Sequence, residues 1–271
     1  MGYGSYWKRK GELTARAEKH TEEVGKLFGK EIEDSIKNSI ICERTETNSI
    51  KYYDINGNAV DTRDGRQLND SKMLVVDSTT QEAIFNSKNN KVTILNFASY
   101  KNPGGAFISG SSAQEEMLCH SSFLYNVLSK FQLVYYNVNQ TDLNRGLYTD
   151  KAIFTPNVLF FDGKGNKRFA NVITCAAPNK SLLYKYNSFL ESENFSSIKS
   201  RTDFMWKLLN AVDDQHDELV LGAWGCGVFK QDPYEIARMF KQIFKQSLYD
   251  TITFAIPAGE NLDAFNKVIN E

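Results

Sequence analysis

Two neighbouring carboxylates, Glu115 and Glu116, follow closely on a glycine-bearing run, Asn102-Pro103-Gly104-Gly105-Ala106-Phe107, within the stretch NFASYKNPGGAFISGSSAQEEMLCHSS from Asn96 to Ser122. Paired glycines let main-chain N–H groups approach an anion closely, and a helix starting near Ala113 adds partial positive charge at the same mouth. That suits a diphosphate, and an acid beside it suits proton transfer. Two plainer readings compete. A strand, a Gly-Gly loop and a helix also make an ordinary tight turn. Ser112-Ala113-Gln114-Glu115 matches a capping box, in which Glu115 reaches back to the Ser112 N–H. The box uses Glu115 only, so Glu116 is the better candidate acid. The helix dipole lowers its pKa, and acting as an acid at neutral pH requires an opposing effect, from desolvation or from repulsion by Glu115 and a bound diphosphate.

A second glycine loop lies in LVLGAWGCGVFKQD, Leu219 to Asp232, where a strand runs into Gly222, Gly225 and Gly227 ahead of a helix from Pro233. Facing the first loop, it would close a two-sided clamp on one diphosphate. Gly-x-x-Gly-x-Gly reverses the spacing of the dinucleotide fingerprint, and GxxxxGK[ST] is absent, which weakens a nicotinamide or ATP reading. Cys226 has no histidine near it in sequence and reads as a small packed thiol rather than a nucleophile.

The elements that must position these residues follow from periodicity. Val24, Leu27, Phe28, Ile32, Ile36 and Ile40 recur at steps of three and four, predicting a helix over about 11–41 weakened by Gly25 and Gly29. Asn56-Gly57 and Asp64-Gly65 mark a hairpin or irregular excursion over 50–70. Strands are expected at 72–77, 91–98, 155–161, 169–176, 218–222 and 251–256, and helices at 81–86, 113–131, 201–212, 233–246 and 261–269. Nearly continuous apolar strands alternating with amphipathic helices require a sheet covered on both faces. Pro103, Pro156, Pro178, Pro233 and Pro257 are all expected at element ends. The prediction is an α/β/α sandwich with a mixed, mainly parallel sheet and its ligand beyond the carboxyl ends of strands.

Composition excludes several function classes. Lys+Arg 32 against Asp+Glu 33 gives a net charge of −1 over 271 residues, so no global positive field gathers nucleic acid or anionic membrane. Apolar runs are strand-sized, far short of the roughly 20 residues of a membrane span, and the N-terminus lacks the apolar segment of a secretory signal. Gly2 invites myristoylation, but Tyr3 and Trp7 do not favour it. The four cysteines, Cys42, Cys119, Cys175 and Cys226, show no CxxC spacing, which points to free thiols in a reducing, intracellular setting: cytoplasmic, or also nuclear in a eukaryote. His20, His120 and His216 are scattered, so no metal site is expected.

NPGGAFISGSSAQEE resembles the signature of poly(ADP-ribose) glycohydrolases, three glycines followed after six to eight residues by Gln-Glu-Glu; here seven residues, Phe107 to Ala113, separate Ala106 from Gln114. ITCAAPN at 173–179 and GAWGCGVFKQDP at 222–233 are similar to further segments of the microbial, bacterial-type branch. The resemblance runs from about residue 72 to the end, and the N-terminal helix is similar to the extension that precedes the core in that branch. It implies a three-layer macrodomain-like α/β/α sandwich over 72–271, with 1–71 as an N-terminal helical extension and hairpin region packed on the core.

The resemblance also implies roles. Glu116 would protonate the leaving oxygen of a ribose–ribose O-glycosidic bond and then deprotonate water. Glu115 would bind hydroxyls of the adjoining ribose, with Gln114 helping to hold the pair. Asn102 matches a ribose contact, Gly104, Gly105, Ala106 and Phe107 the diphosphate loop, Gly225, Cys226, Gly227 and Val228 a second phosphate loop, and Phe229 an aromatic packed on the same ribose. Under the same resemblance Asp77 and Thr79, after the first core strand, are candidates for adenine contacts, against ordinary Asp-Ser-Thr turn chemistry. Neither metal nor cofactor is needed, the partner is ADP-ribose or an ADP-ribosylated protein or nucleic acid, and a monomer is expected. Ala106 replaces the third glycine, where its methyl group would restrict a left-handed backbone or narrow the approach to a diphosphate. That departure keeps a non-catalytic ADP-ribose reader as the alternative. An unrelated doubly wound nucleotide-binding enzyme is a third reading.

Overall fold

The computed structural model describes residues 3–62, 66–185, 191–213 and 217–271; the expected Asp64-Gly65 turn, Gly2 and His216 lie outside the described residues. The chain opens with α1 (Tyr3–Leu27) and α2 (Gly29–Lys37). The single helix expected to run to Ile41 breaks at Phe28, whose backbone leaves the helical region (φ −128°, ψ 29°) ahead of Gly29 while its ring packs 5.4 Å from that of Phe161. Ile40 and Ile41 belong instead to β1 (Ile40–Arg44), which pairs with β2 (Ile50–Tyr53) as a hairpin. Their β-branched side chains suit the pleated ladder, where Ile41 lies opposite Ile153. The Asn56-Gly57 turn then returns Ala59 to a bridge with Tyr53.

There follow β3 (Asn69–Asp70), β4 (Lys72–Val76), α3 (Thr80–Asn86), β5 (Val92–Phe97), α4 (Gln114–His120), α5 (Leu124–Leu128), α6 (Asn137–Thr141), β6 (Lys151–Phe161), β7 (Lys167–Cys175), α7 (Lys180–Lys185), α8 (Glu191–Val212), β8 (Glu218–Leu221), α9 (Pro233–Ile243), β9 (Gln246–Ser247), β10 (Thr251–Ala255) and α10 (Glu260–Asn270). The expected helix over 113–131 is broken between α4 and α5. There the Ser121 and Ser122 hydroxyls donate back to the carbonyls of Met117 and Leu118, and the Ser121 carbonyl accepts the Phe161 N–H at 2.7 Å. The helix expected over 233–246 ends at Ile243, and Gln246 pairs with Asp70 in a separate two-stranded ladder. Pro156 is not at a strand end. It sits inside β6 at a bulge between Thr155 and Val158, where the register shifts and a missing N–H is tolerated.

The main sheet has eight strands in the order β2-β1-β6-β7-β5-β8-β10-β4, parallel from β7 to β4 and antiparallel from β7 to β2. Successive strand residues point to opposite faces, so the inner strands place apolar side chains in both layers. Ile94, Val172 and Val220 join the layer containing Leu118, Phe123 and Phe131, whereas Leu95, Ile173 and Leu221 join the layer containing Phe204, Phe240 and Phe265. This is the three-layer sandwich expected from the sequence.

A buried ion network ties α8 to the site end of the sheet. The Arg201 guanidinium, 3% exposed, bonds Asp150 and donates to the carbonyls of Ala176 and Leu147. Arg44 meets the same carboxylate at 2.9 Å. Burial works to raise the Asp150 pKa, but the two guanidiniums overcome it and hold the carboxyl below its usual range. Asp150 keeps Arg44 when Arg201 is removed, but the Ala176 and Leu147 carbonyls lose their donor, so Arg201→Ala should lower the unfolding free energy by about 1–3 kcal/mol for each carbonyl left unsatisfied, read in chemical denaturation. Because the Asp150 value is depressed, the wild-type contribution is complete above roughly pH 4 and is lost as pH falls through the folded-state value, and Asp150→Asn should abolish that dependence.

Candidate active site

The carboxyl ends of β7, β5, β8, β10 and β4 open onto one cavity of about 860 Å³, within the range of nucleotide-sized sites. Its walls are the loop after β5 with the first turn of α4, the loop after β8, Ala255 to Asn261 after β10, and Thr79 to Gln81 after β4. Of the two adenine candidates, Thr79 lines the cavity, although its hydroxyl is engaged in a capping box with Glu82; Asp77 is not among the lining residues.

Gln114, Glu115 and Glu116 act as a unit in the first turn of α4. The Gln114 amide straps the helix to β5, accepting the Phe97 N–H at 2.8 Å and donating to the Leu95 carbonyl at 2.8 Å and the Thr80 hydroxyl at 3.1 Å. Glu115, 3% exposed, accepts the Ser99 N–H at 2.6 Å and the Asn96 side-chain amide at 3.2 Å, and Asn96 also reaches Thr174. The capping-box reading therefore fails. Ala113, not Ser112, caps the helix, no side chain caps it, and Glu115 turns inward to donors on β5 and its loop. Glu116, 6% exposed, takes the Ala106 N–H on Oε1 at 2.9 Å, while its buried Oε2 has no partner among the described residues. Burial, aided by the adjacent Glu116 charge and opposed by the Ser99, Asn96 and Gly104 donors, pushes Glu115 up to about 8. Glu115 thus holds a proton near neutral pH, within the same helical turn as Glu116.

Gly105 explains the glycine run. A Cβ there would lie 2.5 Å from Glu116 Oε1 and 3.1 Å from Glu115 Oε2, and its φ of +63° is left-handed. Ala106 does not share that backbone conformation, and its methyl group is exposed, so the strain expected from the missing third glycine does not arise. The amides of this loop are largely committed within the protein: Gly105 to Asn102 O, Ala106 to Glu116, and Phe107 to Gly104 O. The Phe107 ring is fully buried against His120 and Tyr125 and does not face the cavity. Asn102 is exposed on the cavity wall. The Gly105, Ala106 and Phe107 amides are thus held within the protein, two by loop carbonyls and one by Glu116, and are not free donors for an anion in this structure.

The free donors are in the loop after β8. Among the described residues the N–H groups of Gly225, Gly227, Val228 and Phe229 have no acceptor, and all four residues line the cavity. At the facing wall, the first turn of α4 likewise leaves the Gln114, Glu115 and Glu116 N–H groups without acceptors. Two sets of main-chain donors therefore flank one space, an arrangement that accepts an anion. Cys226 lies outside the lining, and burial pushes its thiol up to about 12, far from a nucleophile. The 173–179 segment anchors this loop: Trp224 donates to the Cys175 carbonyl at 3.1 Å and Gln231 to the Pro178 carbonyl at 2.8 Å. Phe229 lines the cavity beside the buried Tyr148, 6.4 Å between ring centres. Sequence reasoning missed Asn96, Ser99 and Tyr148. The first two follow from counting the donors that buried carboxylates need; Tyr148 carries no local signal.

Residues 15–163 match the family model described as "Microbial-type PARG, catalytic domain". The chain is similar to poly(ADP-ribose) glycohydrolase from Deinococcus radiodurans, solved with ADP-ribose, at 33% identity over 73% of this chain and 84% of that one, with a TM-score of 0.64. It is also similar in fold to the Thermomonospora curvata poly(ADP-ribose) glycohydrolase, at 23% identity over 96% of this chain and 100% of that one, with a TM-score of 0.78. A comparison with curated proteins found no match.

Gly105→Ala tests the packing of the pair. It should lower turnover by at least about 10², because a misplacement of roughly 1 Å near the reacting groups costs that much, while circular dichroism still reports a folded chain. A variant with wild-type turnover would show that the glutamates do not need this close approach.

Proposed function

The chain belongs to the microbial-type PARG catalytic-domain family, and from that premise we propose that it hydrolyses O-glycosidic ribose linkages of ADP-ribose, in poly(ADP-ribose) or in mono-ADP-ribosylated acceptors, with Glu116 as the acid–base group. The observation that carries this reading is the Glu116 carboxyl itself. One oxygen is fixed by the Ala106 N–H and the other is buried, unpartnered and borne by a residue lining the cavity. An unsatisfied buried carboxyl oxygen is costly in a folded chain unless a ligand completes it.

ADP-ribose lies across the strand ends with its diphosphate between the free amides of Gly225, Gly227, Val228 and Phe229 and the first turn of α4. Phe229 packs on the distal ribose, and Asn102 and Glu115 hold that ribose's hydroxyls. Glu116 gives a proton to the departing oxygen as the anomeric carbon takes on oxocarbenium character. It then takes a proton from the attacking water, so the carboxyl ends as it began. The diphosphate and the carboxylates stabilise the developing positive charge. Glu115, protonated near pH 7, keeps a proton beside the reacting bond. Both grounds for a non-catalytic reader lose force, since Glu115 does not cap the helix and Ala106 is unstrained. Free cysteines, three of them buried, support an intracellular setting, and among the described residues no helix is long and apolar enough to cross a membrane.

Glu116→Gln should lower the release of ADP-ribose from poly(ADP-ribose) or mono-ADP-ribosylated protein by about 10²–10⁴ or more, with ADP-ribose binding by calorimetry retained. Undiminished release would remove the role given to Glu116. Glu115 adds a stability signature. Its carboxyl is raised on folding, so its ionisation opposes the folded state increasingly between the unfolded value near 4.3 and the folded value near 8. Glu115→Gln should therefore raise Tm relative to wild type by an amount that grows from pH 5 to pH 8 and then levels off, while turnover falls. A Tm difference independent of pH would contradict the raised value.

A further inference from the structure

The cavity has a direction. The sheet places β7, β5, β8, β10 and β4 side by side, and the glutamates enter from the helix that follows β5, near one end of the row. A nucleotide laid across β8, β10 and β4 with its reacting sugar at Glu116 must point its scissile bond back over the loop after β5, towards β7 and β6. At that lip stand Tyr100 and Lys101, both lining the cavity. The Lys101 carbonyl is pinned by the Gln140 side chain at 2.9 Å, its ammonium lies 5.9 Å from the Tyr100 ring centre, and it forms no ion pair among the described residues.

Behind Tyr100 the structure holds a second observation. Tyr148 is buried and stacked on Tyr100, with ring centres 4.3 Å apart and planes 13° apart, yet its own φ is +57°, a left-handed conformation that an aromatic residue rarely adopts. Asn144, Arg145 and Gly146 just before it are also left-handed, and the Gly146 carbonyl accepts the Asn179 N–H at 2.7 Å. Backbone strain held in place by surrounding structure clusters at functional sites. Here its product is a backed aromatic face beside a free cation, at the edge of the cavity from which a leaving group departs.

We propose that Tyr100 and Lys101, backed by Tyr148, form a subsite for the departing side of the substrate, receiving the purine ring and phosphate of the neighbouring ADP-ribose unit. The inference rests on the glycohydrolase reading above. A purine stacks on an aromatic face whatever its hydrogen-bonding edge, and a lysine meets phosphate as a point charge. Such a shelf favours acceptors that carry a nucleotide over acceptors that do not.

The test compares two substrates that share ADP-ribose and differ in what leaves: poly(ADP-ribose) and the methyl glycoside of ADP-ribose, whose leaving group has neither ring nor phosphate. Lys101→Glu and Tyr100→Leu should each lower kcat/KM on the polymer by about tenfold, the scale of one stacking or phosphate contact. On the methyl glycoside the change should stay within about twofold, as should the Kd for free ADP-ribose, and Tyr100→Phe should restore the polymer rate. Equal losses on both substrates would place these residues in the ADP-ribose site instead and overturn the proposal, as would unchanged polymer hydrolysis. If the wild-type protein cleaves neither substrate, the glycohydrolase reading itself fails and takes the subsite with it.

Discussion

Two adjacent carboxylates are buried in one helical turn, and most of the site follows from keeping them there. Removing an ionised carboxylate from water costs several kcal/mol unless donors replace the lost hydration. The chain supplies those donors from its own backbone and one amide: Ser99 and Asn96 for Glu115, Ala106 for Glu116. The compensation is incomplete. Glu115 remains pushed up to about 8, and one Glu116 oxygen stays unsatisfied. That residue of unmet electrostatics is what a substrate hydroxyl, a leaving oxygen and a water molecule can answer.

The fold makes this possible through the parallel strands. Their carboxyl ends coincide, so the loop after β5 and the loop after β8 meet although the sequence separates them widely. The two loops divide the work. The first turns the Ser99 and Ala106 amides to the glutamates, whereas the second leaves the Gly225, Gly227, Val228 and Phe229 amides without acceptors among the described residues. The 173–179 segment belongs to neither set. It holds the second loop in place by accepting from Trp224 and Gln231, and its Ala176 carbonyl is fixed by buried Arg201.

Much of this was legible in the sequence. Apolar strands separated by amphipathic helices point to a sheet covered on both faces, and the glycine run next to Glu115 and Glu116 marks the site. The misses have physical causes. Ser112-x-x-Glu115 satisfies the local pattern of a capping box, but the donors on β5 and its loop, distant in pattern yet adjacent in space, compete better for that carboxylate. The helix over 113–131 is interrupted because Ser121 and Ser122 turn their hydroxyls onto the backbone, which periodicity does not register. Ile40 and Ile41 fit a helical face and a strand equally well until β6 provides a partner. Tyr148 is invisible because its importance comes from a ring stacked across loops and a left-handed backbone that its residue type does not advertise.

The central claim is geometric: one buried, half-satisfied carboxyl faces the anomeric centre of a sugar whose diphosphate rests on main-chain amides. A crystal structure of the wild-type protein with ADP-ribose measures it directly. The account predicts the oxygen on the distal anomeric carbon within about 2.6–3.2 Å of a Glu116 carboxyl oxygen, or joined to it by one water, with diphosphate oxygens on amides among those of Gly225, Gly227, Val228 and Phe229. A nucleotide bound in the reverse sense, or a Glu116 carboxyl turned from the sugar beyond the reach of a bridging water, would contradict it.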